Sequence, residues 1–392
     1  MPSNTLPSTR LLGAMLLALA LPLSAQAPKA DEPAAAPAAE TTPIPAPETA
    51  KPAATDPALL DSEVLPRASR ALLLDAVRTS AGYFAVGERG HVLASDDGVK
   101  WRQAAVPTRA TLTAIASVDG VLWAAGHDGV IVHSTDGGKT WVRRRAAPWS
   151  YDIVDPSEGV PVMDLMFTDA MNGFAIGAYS LMLVTSDGGV TWTSRTVSSA
   201  APVVAAAPAP SGEEAAPTGG EDWTFSDEDL ALDAESDPHL NAIARAGSGA
   251  LVIAGERGTF LRSRDGGQTW ISKRLPYEGS MFGVLSWQDD HILVYGLRGN
   301  VYESRDLGDS WVRVETGITT SLMGGYALDN GGAVLVGANG AILRRPDANS
   351  PFTATAFETA SGETPLLSGV VPVDGAGYLV IGDKGADLYR PK

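Results

Sequence analysis

The residues best placed to do chemistry recur at one position of a repeated motif. Arg89, Arg257, Arg298 and Lys384 each stand immediately before the second glycine of a Gly-x-x-Gly turn, and Asp128, Tyr179 and Asn339 hold the same place in three further copies. Four of these seven are cationic, although the chain carries a net charge of −17. The guanidinium fork matches a carboxylate in shape and charge, so a ring of such side chains would dock an acidic loop or a free carboxylate. Exposed charge at turn positions is also the ordinary solvated state of Arg and Lys, and both readings stand. His127 adjoins the ring. The basic run Arg143, Arg144 and Arg145 opens the long connection 143–160, which also carries Trp149 and Tyr151.

A second set of carboxylates is more regular still. Asp97, Asp136, Asp187, Asp265 and Asp306 each follow a Ser or Thr by two positions and precede, by four or five, Trp101, Trp141, Trp192, Trp270 and Trp311. An Asp so placed accepts hydrogen bonds from its own turn, the intervening glycines supply unusual φ, and the tryptophan packs between neighbouring units. Calcium wants six or more oxygens and each turn offers one or two carboxylates, so the reading is structural and no metal site is expected.

Other chemistries lack their parts. There is no cysteine, which removes disulfides, thiolate metal sites and a lipoprotein anchor, and the five histidines are scattered. No serine nucleophile elbow, zinc-binding histidine pair or phosphate loop occurs. A sialidase needs an arginine triad and a Phe/Tyr-Arg-Ile-Pro signature near its first blade, and the only nearby analogue is 65–67, Leu-Pro-Arg. Glycosidases need two placed carboxylates, and 46 acidic residues leave any pair undefined. The reading is of a protein that is not an enzyme and takes no cofactor. The alternative is a glycan-binding module, using Trp149, Tyr151, Trp223 and Tyr277, or a sialidase-like glycoside hydrolase.

The elements that carry these residues form one supersecondary unit written seven times, at 84–95, 122–134, 174–185, 251–263, 293–304, 334–345 and 379–390. Each copy is a short apolar strand, the glycine turn and a second strand. In the second unit, 112–118, 121–125, 130–134 and 141–144 read as four strands joined by short Gly-bearing turns, which is hairpin chemistry. Seven units of four antiparallel strands predict an all-β, seven-bladed β-propeller; a linear solenoid would need atypical capping repeats. The seventh unit has three strands, and the segment 59–65 has nothing local to pair with. It is expected to complete the last blade and clasp the ring.

Successive turns of an up-and-down blade alternate between faces. The Gly-x-x-Gly turns and the connections between blades therefore share one face, and the Asp turns line the other.

The ends and one interior stretch differ in composition. Arg10, the apolar run 11–23 and Ala25-Gln26-Ala27 have the layout of a signal peptide over 1–27, which predicts export to the periplasm, or secretion, and no membrane span after cleavage. Residues 28–57 are an Ala/Pro-rich tether with too little apolar surface to fold. The propeller is assigned to 58–392, interrupted between its third and fourth blades by an acidic insertion, 200–237, whose second part, 221–237, packs eight carboxylates around Trp223, Phe225, Leu230 and Leu232. The acidic balance argues against nucleic acid as a partner, and the chain is expected to be monomeric.

The turns from Ser134 to Trp141, Thr185 to Trp192 and Ser263 to Trp270, with looser copies at 95–101 and 304–311, resemble the Asp-box or BNR repeat. Joined in seven units over 59–392 to the glycine turns, which read Gly-Glu-Arg-Gly at 87–90 and 255–258, they resemble the photosystem II stability/assembly factor family in its non-photosynthetic bacterial form. That resemblance implies a non-catalytic scaffold or accessory factor that binds a membrane protein or membrane-protein complex of the cell envelope, an efflux-type transporter being the client that bacterial relatives suggest. The insertion at 200–237 departs from the family pattern.

Overall fold

The computed structural model describes residues 56–150, 158–196, 237–375 and 377–391. The expected signal peptide, most of the tether, nearly all of the acidic insertion, Tyr151 and Trp223 lie outside the described residues.

Seven antiparallel sheets follow one another along the chain. Blade 1 holds β1 (Leu73–Thr79), β2 (Gly82–Gly87), β3 (Val92–Ser95) and β4 (Arg102–Ala104). Blade 2 holds β5 (Leu112–Val118), β6 (Val121–Gly126), β7 (Ile131–Ser134) and β8 (Val142–Arg145). Blade 3 holds β9 (Val162–Phe167), β10 (Gly173–Gly177), β11 (Met182–Thr185) and β12 (Thr193–Ser194). Blade 4 holds β13 (Leu240–Arg245), β14 (Leu251–Gly255), β15 (Thr259–Ser263) and β16 (Ile271–Arg274). Blade 5 holds β17 (Met281–Ser286), β18 (Ile292–Gly296), β19 (Val301–Ser304) and β20 (Val312–Arg313). Blade 6 holds β21 (Leu322–Ala327), β22 (Ala333–Gly337), β23 (Ala341–Arg345) and β24 (Thr353–Ala356). Blade 7 holds β25 (Leu367–Val373), β26 (Gly377–Gly382) and β27 (Gly385–Tyr389). The chain is a seven-bladed β-propeller.

Strand sequences explain the packing. The second strand of every blade is an apolar run buried on both sides, such as Phe84-Ala-Val86 and Leu293-Val-Tyr295. Strands covered on both faces read as continuous hydrophobic segments rather than alternating ones. The fourth strands, at the rim, carry Arg, Lys, Ser and Thr and are largely exposed. The core is a chain of clusters, each drawn from two adjacent blades, and blade 7 joins blade 1 through Val371, Leu379, Ile381, Leu73, Ala85 and Leu93.

Inner strands are sheet edges, and side chains from neighbouring blades satisfy their main-chain groups. Asp75 accepts the Ile115 amide and Asp164 the Ile243 amide, both at 2.8 Å. Thr113 donates to the Val162 carbonyl at 2.6 Å, and Asn241 to that of Met281 at 2.9 Å. A buried main-chain group left unpaired costs a full desolvation penalty, so these four side chains weld successive blades.

The expected N-terminal closing strand is not formed. Residues 56–65 contain no strand, and among the described residues blade 7 has three. The segment lies instead along blade 1 and its junction with blade 2. The Ser62 amide donates to the Val106 carbonyl at 2.8 Å, the Leu65 amide to Gln103 Oε1 at 2.8 Å, and Arg109 Nε to the Asp61 carbonyl at 2.7 Å. Ala58 is fully buried there. Its polar groups are thus engaged along blade 1, and Pro57 and Pro66 bracket it without amide donors. A single 3-10 turn, Ala68–Arg70, then crosses to blade 7, where Ala68 and Leu65 pack with Ala386 and Leu388.

Candidate partner-binding face

Both glycines of the Gly-x-x-Gly turn answer to main chain that passes them. A Cβ on the first, such as Gly87 or Gly126, would collide with the carbonyl of the residue leading into the same blade, Leu72 or Thr111. A Cβ on the second would collide with the connection to the next blade, as Gly90 would with the Thr108 carbonyl and Gly340 with that of Phe357. Between them the third residue is forced into the left-handed region: Arg89 at φ 55°, Asp128 at 55°, Tyr179 at 50°, Arg257 at 52°, Arg298 at 56° and Asn339 at 57°. Non-glycine residues in that region carry strain that packing must hold. The repeat accordingly holds six side chains in one fixed pose on one face.

The structure sorts the predicted residues. Arg89, Arg298 and Lys384 are exposed on this face with Tyr179 and Asn339; Arg257, His127 and Asp128 are half-buried. Burial pushes the His127 imidazole down and the Asp128 carboxyl up, Asp56 adding to the latter. Lys384 differs from the others. It sits in a tight two-residue hairpin outside the left-handed region and is paired with Glu363 at 2.7 Å.

The basic run is corrected in place. Arg143, Arg144 and Arg145 belong to β8 rather than to a loop. Arg143 Nη1 donates to the Ala58 carbonyl at 3.1 Å and also to that of Pro107, fastening the N-terminal segment; Arg145 Nη1 donates to the Gly129 carbonyl at 2.7 Å. Arg144 Nε reaches His133 Nδ1 at 3.4 Å. These side chains brace blade 2 and its turn.

Two features escaped the sequence. Arg70 comes to the same face beside the blade 7 turn, because the lead-in to blade 1 runs there. Blade 3 has Ser180 where its neighbours have glycine, and Tyr179 and Ser180 are both left-handed, at φ 50° and 56°. The connection crowding this position elsewhere is displaced, its Pro238 carbonyl accepting the Ser180 amide at 2.9 Å. Tyr179 is 61% exposed and meets His239 edge-on at 5.0 Å. The missing second glycine in 174–185 was the available signal.

The opposite face is built from the Asp turns. In blade 3, the hydroxyl of Thr185 donates to Asp187 at 2.8 Å and the hydroxyl of Thr191 at 2.6 Å, with the Thr191 amide at 3.0 Å. The Thr191 hydroxyl and amide, then the Thr185 hydroxyl, hold Asp187 at about 2. Matching bonds hold Asp265 and Asp306 at about 2 and keep Asp97 and Asp136 low. Each carboxylate is occupied by its own turn. The tryptophans lie between blades, Trp270 edge-on to Phe174 at 6.4 Å and Trp311 to Phe260 at 5.1 Å. Trp101 joins the cluster shared by blades 7 and 1, and Trp141 that shared by blades 1 and 2. Trp192 meets Phe167 edge-on at 5.8 Å. Among the described residues no group of three or more His, Asp or Glu could hold a metal ion.

The family described as DUF6242 beta propeller domain matches residues 66–278, more than half of the chain. The chain belongs to the DUF6242 beta-propeller family. Its second half, 219–385, also matches the family described as photosynthesis system II assembly factor YCF48. No curated protein matches the chain. Among solved structures this DUF6242-type propeller is similar to YCF48 bound to D1 peptide, at TM-score 0.56 and 14% identity over 85% of this chain and 98% of that one. It is similar also to YCF48 from Cyanidioschyzon merolae, at TM-score 0.56 and 16% identity over 83% and 97%. The WD40 propeller of Doa1 matches at TM-score 0.52 and 10% identity over 84% and 94%. Identities this low establish a shared fold.

Proposed function

We propose that the chain is a non-catalytic scaffold or assembly factor of the periplasm that binds a membrane-protein client through its Gly-x-x-Gly face. The observation that carries this reading is the ring itself. Six side chains are held in strained left-handed poses on one face, with exposed Arg89 and Arg298 among them, and such outliers cluster at functional sites. Match to an assembly-factor family supports the scaffold role, and a relative bound to a peptide supports a polypeptide ligand. The Arg10, 11–23 and Ala25-Gln26-Ala27 pattern supports export. An efflux-type transporter is the client class that the resemblance favours.

Crosslinking capture of the tagged full chain from envelope membranes, beside an Arg89→Ala/Arg257→Ala/Arg298→Ala variant, tests it. A membrane protein held by the wild type and lost by the folded variant supports the reading, and its retention should weaken with salt. Equal capture by both forms would move the site off this face.

A further inference from the structure

Blade 7 has three strands among the described residues, where the other six blades have four. β27 pairs with β26 through Gly382↔Gly385, Ile381↔Ala386, Val380↔Asp387, Leu379↔Leu388 and Tyr378↔Tyr389. In a two-residue antiparallel hairpin the closing pair exchanges both main-chain bonds, and hydrogen-bonded pairs then alternate with open ones. Gly385, Asp387 and Tyr389 therefore bond inward, and the main-chain groups of Ala386 and Leu388 face the open edge. The Leu388 amide shows this directly, since it donates to the Asp387 carboxylate at 2.8 Å.

The other blades define what fits beside such a strand. Two of their fourth strands begin with an apolar residue and run on into basic ones, Val142-Arg-Arg-Arg145 in blade 2 and Ile271-Ser-Lys-Arg274 in blade 4. The last arginine of each reaches back to its blade's own turn, Arg145 to the Gly129 carbonyl at 2.7 Å and Arg274 to the Arg257 carbonyl at 2.6 Å. Blade 7 lacks that strand among the described residues. A shallow, water-sized notch between blades 6 and 7 is lined by Phe357, Pro365, Leu367, Val380, Lys384 and Asp387. Asp387 is 43% exposed and has Arg70 only at 4.0 Å, which leaves its charge available to a basic guest.

We propose that blade 7 accepts an extended segment of a partner protein as its fourth strand, with an apolar residue followed by basic ones. Main-chain bonds to Ala386 and to the Leu388 carbonyl supply affinity, as in other strand additions, and Asp387 supplies selectivity. The segment 56–65 is not the occupant, since it is already bonded along blade 1, and a partner segment with the apolar-then-basic pattern of β8 and β16 fits beside Asp387. The surface borders the Gly-x-x-Gly ring at Lys384 but uses the outer edge of β27.

The test uses the full chain and the synthetic peptide Thr-Trp-Ile-Ser-Lys-Arg-Leu-Pro, which copies 269–276. Bound peptide should slow hydrogen exchange at the Ala386 amide about tenfold or more, the amount a single main-chain bond supplies. Ala386→Pro, which deletes the outward amide, should weaken binding about tenfold by fluorescence anisotropy, and Asp387→Asn should weaken it severalfold. Should Ala386→Pro fail to fold, a peptide with proline in place of its serine must bind the wild type about tenfold more weakly than the parent peptide. Unchanged exchange at Ala386, or equal binding of the two peptides, overturns the proposal.

Discussion

The hydroxyl of Ser368 donates to the carbonyl of Leu73 at 2.8 Å, tying the inner strand of blade 7 to that of blade 1 across 295 positions of sequence. The same hydroxyl lies 3.1 Å from the Ile381 carbonyl, and Ser368 is fully buried. This bond closes the ring in the way Thr113 and Asn241 join interior blades. Ser368→Ala should lower the unfolding free energy by about 1–2 kcal/mol, because the Leu73 carbonyl stays buried without that donor. Urea unfolding of the two proteins measures it, and an unchanged midpoint would show that closure rests on apolar packing alone.

Glu303 and Arg345 form the second seam to probe. In blade 6, Arg345, 2% exposed, stands at the end of the third strand where blades 4 and 5 have Ser263 and Ser304. Its guanidinium lies 5.8 Å from the Trp287 ring and 5.1 Å from Phe352, and donates to Glu303 at 3.0 Å. Burial pushes Glu303 up, but hydrogen bonds from His291 and Arg345 and their charge bring it to about 2. Arg345→Met should cost about 1–3 kcal/mol by removing a charged donor from a carboxylate that keeps His291 and Arg305. Arg345→Met/Glu303→Gln should recover part of the loss, and a double variant no better than the single would contradict the pairing.

Two glycines separate conformation from contact. A methyl group on Gly137, at φ 72°, would meet nothing within 4 Å, whereas one on Gly340, at φ 67°, would run into the Phe357 carbonyl. Gly137→Ala should cost about 1–2 kcal/mol for the left-handed backbone alone. Gly340→Ala should cost distinctly more, since the connection to blade 7 must move. Equal losses in thermal or urea unfolding would mean that the connection yields freely.

Acid sensitivity should begin with histidine. His91 is 1% exposed with no hydrogen-bond partner at either ring nitrogen among the described residues, and burial holds it below its ordinary value, Glu88 opposing. The unfolded chain therefore takes up the proton first as pH falls. Stability is full above about 6.5, the unfolded value, and declines as pH drops through it toward the folded one. His91→Met should flatten the change in urea midpoint between about pH 7.5 and 5.5; an identical slope would exonerate this residue. The Asp turns act lower. With Asp187, Asp265 and Asp306 at about 2, their contribution is present above about 4 and is lost as pH falls toward 2.

The repeat made the architecture readable because each blade uses the same local devices. Glycine at positions 87 and 90 and the Asp97 turn are demanded by main-chain contacts within one unit or with the next. Such demands recur in sequence at a fixed spacing. Arg89, Arg298 and Tyr179 were locatable on one face for the same reason. What each side chain does was less readable, as Arg143 and Arg145 show: their partners, Ala58, Pro107 and Gly129, come from other segments.

The sequence by itself determined the number of blades, their strand order and the face on which each turn lies, since hydrophobic period and turn chemistry are short-range properties. Tertiary structure alone decided the contacts between segments distant in sequence. It laid 56–65 along blade 1 instead of blade 7, because its amides found Val106 and Gln103 as partners. It closed the ring through Ser368 and Leu73, set Arg345 between Trp287 and Phe352, and left the edge of β27 open among the described residues. Each of those outcomes depends on which surfaces meet once the blades are arranged in a circle, and no local pattern encodes that meeting.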